Sequence, residues 1–183
     1  MSRIIFYDLE TTGVNIENDT IIEIGARDNL GNEFNKLINP KQEISHHIEN
    51  LTGITNNKLK YRNDLFQSYD IIQDWFNFND KNTYLIAHNG DNFDYKFLCK
   101  YFTIKSKCID TLTLFRKLLP FHNSHSIKAL CNIYNINCTK HHRALEDVII
   151  LEQLYIKALE LYCIKFNKKN VSVKEIYNYT YDL

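Results

Sequence analysis

The sequence has few of the residues that usually separate domains. It contains only two prolines and five glycines in 183 residues, and we find no Ser/Gly linker, internal repeat or low-complexity block. Because domain boundaries normally fall in such stretches, we expect a single domain over residues 1–183. A hydrophobic fraction of 44% is that of an ordinary globular protein and excludes a disordered chain.

Disulfide frameworks, zinc sites and membrane segments also lack support. The five cysteines are odd in number and widely spaced, with no C-x-x-C pair. The first residues, MSRIIFYDLE, reach an acidic pair before any apolar stretch long enough for a signal peptide, and no run of ~18 apolar residues follows. We therefore expect free thiols in a soluble protein of the cytoplasm or nucleus, without a membrane partner.

Net charge is absent as well, since 22 basic residues balance 22 acidic ones. A nucleic-acid partner would therefore have to be held by a local patch of charge. Lysine-rich stretches at 96–107, 140–143 and 165–174 could line a track for a single strand, or they could be solvated helix faces.

The hydrophobic pattern predicts an α/β fold. Three apolar runs early in the chain read as an antiparallel meander, and strands then alternate with helices, which indicates a mixed sheet flanked by helices. The predicted strands are residues 3–9, 20–27, 33–39, 83–87 and 107–110, and the predicted helices are 64–76, 92–103, 111–118, 127–134, 143–162 and 173–179.

Acidic residues occur at three places where this pattern changes. Asp8 and Glu10 lie two apart at the end of a strand, where alternate side chains share a face and can reach one cation. Asp94 follows a polar loop and would lie in the first turn of a helix, where capping alone could explain it. Asp147 lies five residues after His142 at the start of the longest helix, so both can overlook one cleft.

Taken together, DLETTG, HNGDNFD and HHRALED resemble, in order and spacing, the three motifs of the DEDDh family of 3′-to-5′ exonucleases. That family includes the proofreading subunit of bacterial DNA polymerase III, ribonuclease T and the three-prime repair exonucleases, and HNGDNFDYKFL looks most like the last group. The resemblance covers residues 3 to about 155 and implies a ribonuclease H-like fold. The extension at about 164–183 matches no pattern that we recognise.

The resemblance implies a set of roles at these positions. Asp8 would bridge two Mg²⁺ or Mn²⁺ ions, Glu10 and Asp147 would complete the shell of the first ion, and Asp94 would act on the second. Carboxylates are the hard oxygen ligands that such ions prefer. His142 would be the general base, with His141 as its rival.

The resemblance also implies contacts with the 3′ end of a nucleic acid. Segment 47–55 resembles the family's loop beside the terminal nucleotide. The expected substrate-binding residues are Thr11, Thr12, Leu51, Thr52, Ile54, His88 and Asn89.

Several alternatives stay open at this point. The same carboxylates serve DNA and RNA, and the HNGD motif favours single-stranded DNA over RNA. A binding module that has lost turnover is a third reading, although every position of the catalytic set is filled. The sequence does not indicate the oligomeric state.

Overall fold

Five strands form one mixed sheet in the order β3-β2-β1-β4-β5. The structure, a computed structural model, describes residues 2–138 and 143–183. The first three strands are antiparallel neighbours, whereas β4 and β5 continue the sheet in parallel with β1. The strands are β1 (Arg3–Thr11), β2 (Ile21–Asp28), β3 (Glu33–Leu37), β4 (Thr83–Ala87) and β5 (Lys107–Asp110). The predicted α/β architecture, a meander followed by parallel strands, is confirmed.

Eight helices accompany this sheet in the part of the chain that the structure describes. They are α1 (His46–Thr52), α2 (Asn56–Leu59), α3 (Tyr69–Phe76), α4 (Asp94–Cys99), α5 (Thr111–Leu118), α6 (Ile127–Tyr134), α7 (Ala144–Phe166) and α8 (Val173–Tyr181). Within the described residues, no helix combines the length and the apolar character that crossing a bilayer requires.

The two faces of β1 enter different hydrophobic clusters because successive side chains of a strand point to opposite sides. Tyr7 and Leu9 pack in a cluster with residues of α3 and α4, including Phe76 and Phe97. On the other face, Phe6 packs with residues of α5 to α8. Asp8 and Glu10 continue the row of Phe6, so the acidic pair points to the side of the sheet that α7 covers.

The strand register fixes which polar residues meet on that side. Glu10 of β1 lies opposite Glu23 of β2, and Glu23 lies opposite Leu37 of β3. Residues directly opposite each other in antiparallel strands share a face of the sheet. Glu10, Glu23 and Leu37 therefore form one row of side chains that crosses the sheet from β1 to the edge strand β3.

Several predicted bounds differ from the structure. The segment 64–67 precedes α3 as a turn, in which the Asp64 carboxylate accepts a hydrogen bond from the Gln67 backbone N–H at 2.8 Å. The helix predicted at 92–103 is restricted to Asp94–Cys99. Helices α1 and α2 were not predicted, because each is shorter than the two or three turns over which apolar periodicity becomes visible.

Candidate active site

The end of β1 presents the first two candidate ligands. The side chain of Leu9 is buried in the cluster beneath the sheet, whereas Asp8 and Glu10 line a cleft of about 820 Å³ on the opposite side. This is the arrangement that the D-x-E spacing predicts for a strand. Both carboxylates can therefore reach one site without any distortion of the backbone.

The long helix α7 supplies the third carboxylate. Asp147 lies in its first turn, and one carboxylate oxygen each of Asp8, Glu10 and Asp147 lies within 4.8 Å of the others. Two of these residues come from a strand and the third comes from a helix that is remote in sequence. The fold thus creates a cluster of three carboxyl groups around a space that suits a cation.

A buried ion pair sets the position of that helix on the sheet. Glu23, fully buried on β2, accepts hydrogen bonds from Arg143 Nε at 3.1 Å and Nη2 at 2.8 Å. Its carboxylate also accepts one from the backbone N–H of Ala144 at 3.2 Å, so it satisfies a free donor at the start of α7. A Cβ added at Gly25 would lie 2.4 Å from the backbone of Ala144 and Leu145, which shows how closely helix and strand approach.

We expect Glu23→Ala to destabilise the protein by roughly 1–3 kcal/mol, because Arg143 and the Ala144 N–H lose their shared acceptor. The partial exposure of Arg143 keeps the loss below that of a fully buried pair. Glu23→Gln retains an acceptor for one of these donors and should lose less. Urea unfolding of both variants measures the difference, and an unchanged midpoint for Glu23→Ala would contradict the anchoring role.

Asp94 approaches the cluster from beneath the strand. It begins α4 and is 3% exposed, and its Oδ1 accepts a hydrogen bond from the backbone N–H of Leu9 at 3.1 Å. Helix capping, the alternative reading of this residue, does not require such a contact with β1. The contact brings Asp94 next to the strand segment that carries Asp8 and Glu10.

Burial and mutual repulsion make the cluster resist ionisation. Burial is the largest cause of a raised pKa at Asp8, and the charges of Asp94 and Asp147 add to it. Burial, followed by Asp147, raises the pKa of Glu10 to about 8, and burial raises the pKa of Asp94 to about 7. A divalent cation would relieve this repulsion, so the donor set fits a metal site.

These pKa values predict that the metal-free protein loses stability as the pH rises. Glu10 has an ordinary pKa of 4.5 in the unfolded chain and about 8 when folded, so the folded state binds more protons between these values. Stability therefore decreases from pH 5 towards pH 8. Thermal unfolding in EDTA should show this slope, and Glu10→Gln should flatten it. A profile that is equally flat for both proteins would contradict the prediction.

The cleft continues from the carboxylates towards two polar residues of the HNGD segment. His88 and Asn89 both line it, together with residues of α5 and of segment 123–128. His88 Nδ1 lies 2.9 Å from Thr111 Oγ1, and burial lowers the pKa of His88 to about 4. At neutral pH this histidine is therefore an uncharged hydrogen-bonding group.

The C-terminal helix α8 contacts the same segment. The Tyr181 hydroxyl donates to the Asp91 carboxylate, 3.1 Å from Oδ1 and 3.0 Å from Oδ2, and accepts from the Asp110 N–H at 3.0 Å. Asp110 in turn accepts from the Asn89 N–H at 2.8 Å. Residues 88–91 are thus held between β5 and α8.

The other expected substrate contacts differ in their surroundings. Thr11 Oγ1 donates to the Gly13 carbonyl at 2.6 Å, and Thr12 Oγ1 donates to Asp19 Oδ1 at 2.8 Å. Of the three expected contacts in segment 47–55, Thr52 and Ile54 are buried, whereas Leu51, 40% exposed, presents its side chain to solvent.

The motifs and the fold agree with a comparison against known protein families. The model of the exonuclease family named after ribonuclease T matches residues 5–155, which include all four candidate carboxylates. The chain belongs to the RNase T exonuclease family. The family resemblance inferred from the three motifs is confirmed.

Bacterial DNA polymerases III of the PolC type contain similar sequences. This family member is 34% identical over 166 residues to the DNA polymerase III PolC-type of Bacillus subtilis, a match that covers 85% of this chain and 11% of that protein. The PolC-type polymerase of Thermotoga maritima is 32% identical over 164 residues, covering 84% and 12%. The RNase T-family chain thus corresponds to about a tenth of the length of these relatives.

Solved exonuclease structures share the fold of this RNase T-family chain. Exonuclease X in complex with 5′ overhanging duplex DNA superimposes with a TM-score of 0.72 at 22% identity, covering 97% of this chain and 99% of that one. Exonuclease I of E. coli in complex with a dA16 oligonucleotide gives 0.76 at 16% identity, covering 98% and 43%.

One predicted member of the RNase T-type site falls outside the described residues. His142, the expected general base, and its rival His141 both lie in the segment 139–142. Conversely, the structure adds Glu23, which the sequence analysis did not single out. Its charge within the apolar run IIEIG was the available signal, since a buried acid needs a partner.

Proposed function

We propose that this chain is a metal-dependent 3′-to-5′ exonuclease that hydrolyses terminal phosphodiesters at single-stranded or frayed DNA 3′ ends and releases nucleoside monophosphates. The observation that carries the proposal is the convergence of Asp8, Glu10 and Asp147 within 4.8 Å in an open cleft. Membership of the exonuclease family supports hydrolysis of the phosphodiester as the reaction.

The proposed cofactor is a pair of Mg²⁺ or Mn²⁺ ions. In this assignment Asp8 would help to hold both ions, Glu10 and Asp147 would hold the first, and Asp94 would act on the second. Such a pair supplies stabilisation of the attacking and leaving oxygens of an in-line displacement. The oxygen-only donor set supports these hard cations over softer metals, although one form of the E. coli Exonuclease I complex is described as zinc bound.

The protein residues perform the remaining tasks. His142 would accept a proton from the attacking water, since an unperturbed imidazole with a pKa of ~6.5 is half-neutral near physiological pH. Neutral His88 and Asn89 would position the terminal nucleotide by hydrogen bonds. The exposed side chain of Leu51 would pack against the last base, and Thr52 and Ile54 would support it from the interior.

DNA is the proposed substrate because of what the relatives act on or bind. The similar curated proteins are DNA polymerases, and the similar structures of Exonucleases X and I contain DNA. The same carboxylates would also cut RNA, since discrimination depends on a few contacts at the 2′ position of the sugar.

A direct digestion assay tests the proposal. Single-stranded DNA and RNA of equal sequence, labelled at the 5′ end, are incubated with Mg²⁺, Mn²⁺ or EDTA. We expect a ladder of DNA fragments shortened from the 3′ end with either ion and no product in EDTA. Faster digestion of RNA would assign the substrate to RNA, and binding without product under both ions would contradict catalysis.

A further inference from the structure

A second pocket with a different charge lies at the β3 edge of the sheet. It has a volume of about 500 Å³ and is lined by Asn35, Lys36, Leu37, Tyr61, Arg62, Asn63 and Arg143. Three of these residues are cations and none is acidic. This β3-edge pocket is therefore suited to an anion, whereas the active-site cleft contains three carboxylates.

Two of the three cations form no ion pair with another described residue. Arg143 pairs with Glu23, but neither Lys36 nor Arg62 forms an ion pair with any acidic residue in the ranges 2–138 and 143–183. Arg62 donates from Nε to the Lys58 carbonyl at 3.3 Å, which leaves its terminal nitrogens available. Guanidinium and ammonium groups in this state are the usual ligands of phosphate.

The wall of the pocket is held in place before any ligand binds. The Asn63 carbonyl accepts a hydrogen bond from the Asn39 N–H at 3.0 Å, and Asn39 Nδ2 donates to the Lys60 carbonyl at 3.1 Å. These bonds attach segment 60–63 to the chain that follows β3. The surface is therefore preformed, and the entropic cost of ordering it on ligand binding would be small.

An exposed aromatic ring stands beside these cations. Tyr61 is 81% exposed, and Lys60 Nζ lies 5.4 Å from the centre of its ring. Aromatic rings next to basic groups are the combination on which single-stranded nucleic acids stack and neutralise their phosphates.

The position of the pocket relates it to the active site. Leu37, Glu23 and Glu10 form one row across three strands, and the pocket contains Leu37 at the outer end of that row. Neighbouring strands are ~4.8 Å apart, so β3 lies roughly 10 Å from the strand that carries the carboxylates. That distance corresponds to the first few phosphates of a strand that ends at the carboxylates.

We propose that the β3-edge pocket binds a backbone phosphate of the nucleic-acid substrate upstream of the cleaved bond, and that Tyr61 stacks on an adjacent base. This inference rests on the proposed function, because the strand must end in the carboxylate cleft. The pocket would determine how tightly long substrates are held, and it would not take part in the cleavage of a substrate with a single phosphate.

Binding and turnover of two substrates separate these roles. The full-length variants are Lys36→Ala/Arg62→Ala and Tyr61→Ala. The controls are Lys81→Ala and Phe66→Ala. Lys81 is an exposed cation just before β4, at the end of the sheet opposite the carboxylates because β4 runs parallel to β1, and Phe66 is another exposed aromatic residue. Fluorescence anisotropy in EDTA gives the Kd of a labelled dT16 strand. Hydrolysis of the p-nitrophenyl ester of thymidine 5′-monophosphate gives turnover on a single phosphate.

We expect the double variant to raise the Kd for dT16 roughly 10-fold and to make the log-log salt dependence of that Kd shallower by about 0.7, the value for one lost phosphate contact on a single strand. Tyr61→Ala should raise the Kd by roughly 5-fold or more through lost stacking. Neither should change kcat/KM for the small ester, and both controls should resemble the parent protein.

Other outcomes would overturn either the assignment of the β3-edge pocket or the proposed exonuclease function. A Kd for dT16 that equals the control values, or an equal loss on the small ester, would overturn the assignment of the pocket. A parent protein that hydrolyses neither the ester nor DNA would overturn the proposed function, while the anisotropy measurement in EDTA would still decide whether the pocket binds the strand.

Discussion

Asp8→Ala is expected to reduce metal-dependent hydrolysis by roughly 10³-fold or more, because the cations that it would help to hold contribute several kcal/mol of transition-state stabilisation. The same change should not weaken the folded protein in EDTA. Its unfolding temperature should stay equal or rise, since the removed carboxyl group is one whose pKa is raised by burial and by the neighbouring charges of Asp94 and Asp147.

Two measurements check this expectation. Steady-state turnover with Mg²⁺ is compared with thermal unfolding in EDTA for Asp8→Ala and for Asp74→Ala, a control that removes an exposed carboxylate on α3. The control should retain both rate and stability. If Asp8→Ala fails to fold, or folds with an unchanged rate, the carboxylate has a structural role and the assignment of the site is wrong.

His142→Ala is expected to lower turnover by roughly 10²–10⁴-fold, the usual contribution of a positioned general base. Metal affinity and thermal stability should change little. The pH profile of kcat/KM should also lose the limb that reflects deprotonation of this imidazole, because no group with a pKa of ~6.5 then accepts the proton.

The neighbouring histidine provides the matched control. His141→Ala removes an identical side chain one position earlier in HHRALED and should leave the rate near that of the parent protein. If His141→Ala is slow and His142→Ala is fast, the base is His141. If both variants keep their rate, the proton passes to another acceptor.

The sheet and its acidic row could be predicted because they depend on local patterns. Alternation along β1 places Asp8 and Glu10 on one face and Leu9 on the other. The apolar runs before and after the turn at residues 29–32 define the meander. Asp94 and Asp147 could be assigned to the same site because DLETTG, HNGDNFD and HHRALED occur together in the order and spacing of the exonuclease motifs. Each motif alone would have been much less specific.

Features that depend on contacts between distant segments could not be predicted in this way. Glu23 and Arg143 are 120 positions apart, and the local sequence around either residue does not indicate that the two side chains form an ion pair. The β3-edge pocket likewise combines residues of β3, of the segment after α2 and of the start of α7. The buried side chains of Thr52 and Ile54 follow from α1 and its left-handed end at Gly53, which are too short to give a periodic signal.

The contact between Tyr181 and the HNGD segment shows that the C-terminal helix α8 helps to hold the active-site region. The family match stops at residue 155, yet Tyr181 lies beyond it, and its hydroxyl donates a hydrogen bond to Asp91 and accepts one from the backbone N–H of Asp110. A fragment trimmed to the homologous region would expose those groups to water and remove a brace from the loop that carries Asn89. The family match therefore ends before the last helix that contacts the active-site segment, and residues beyond that match can determine how well the site is organised.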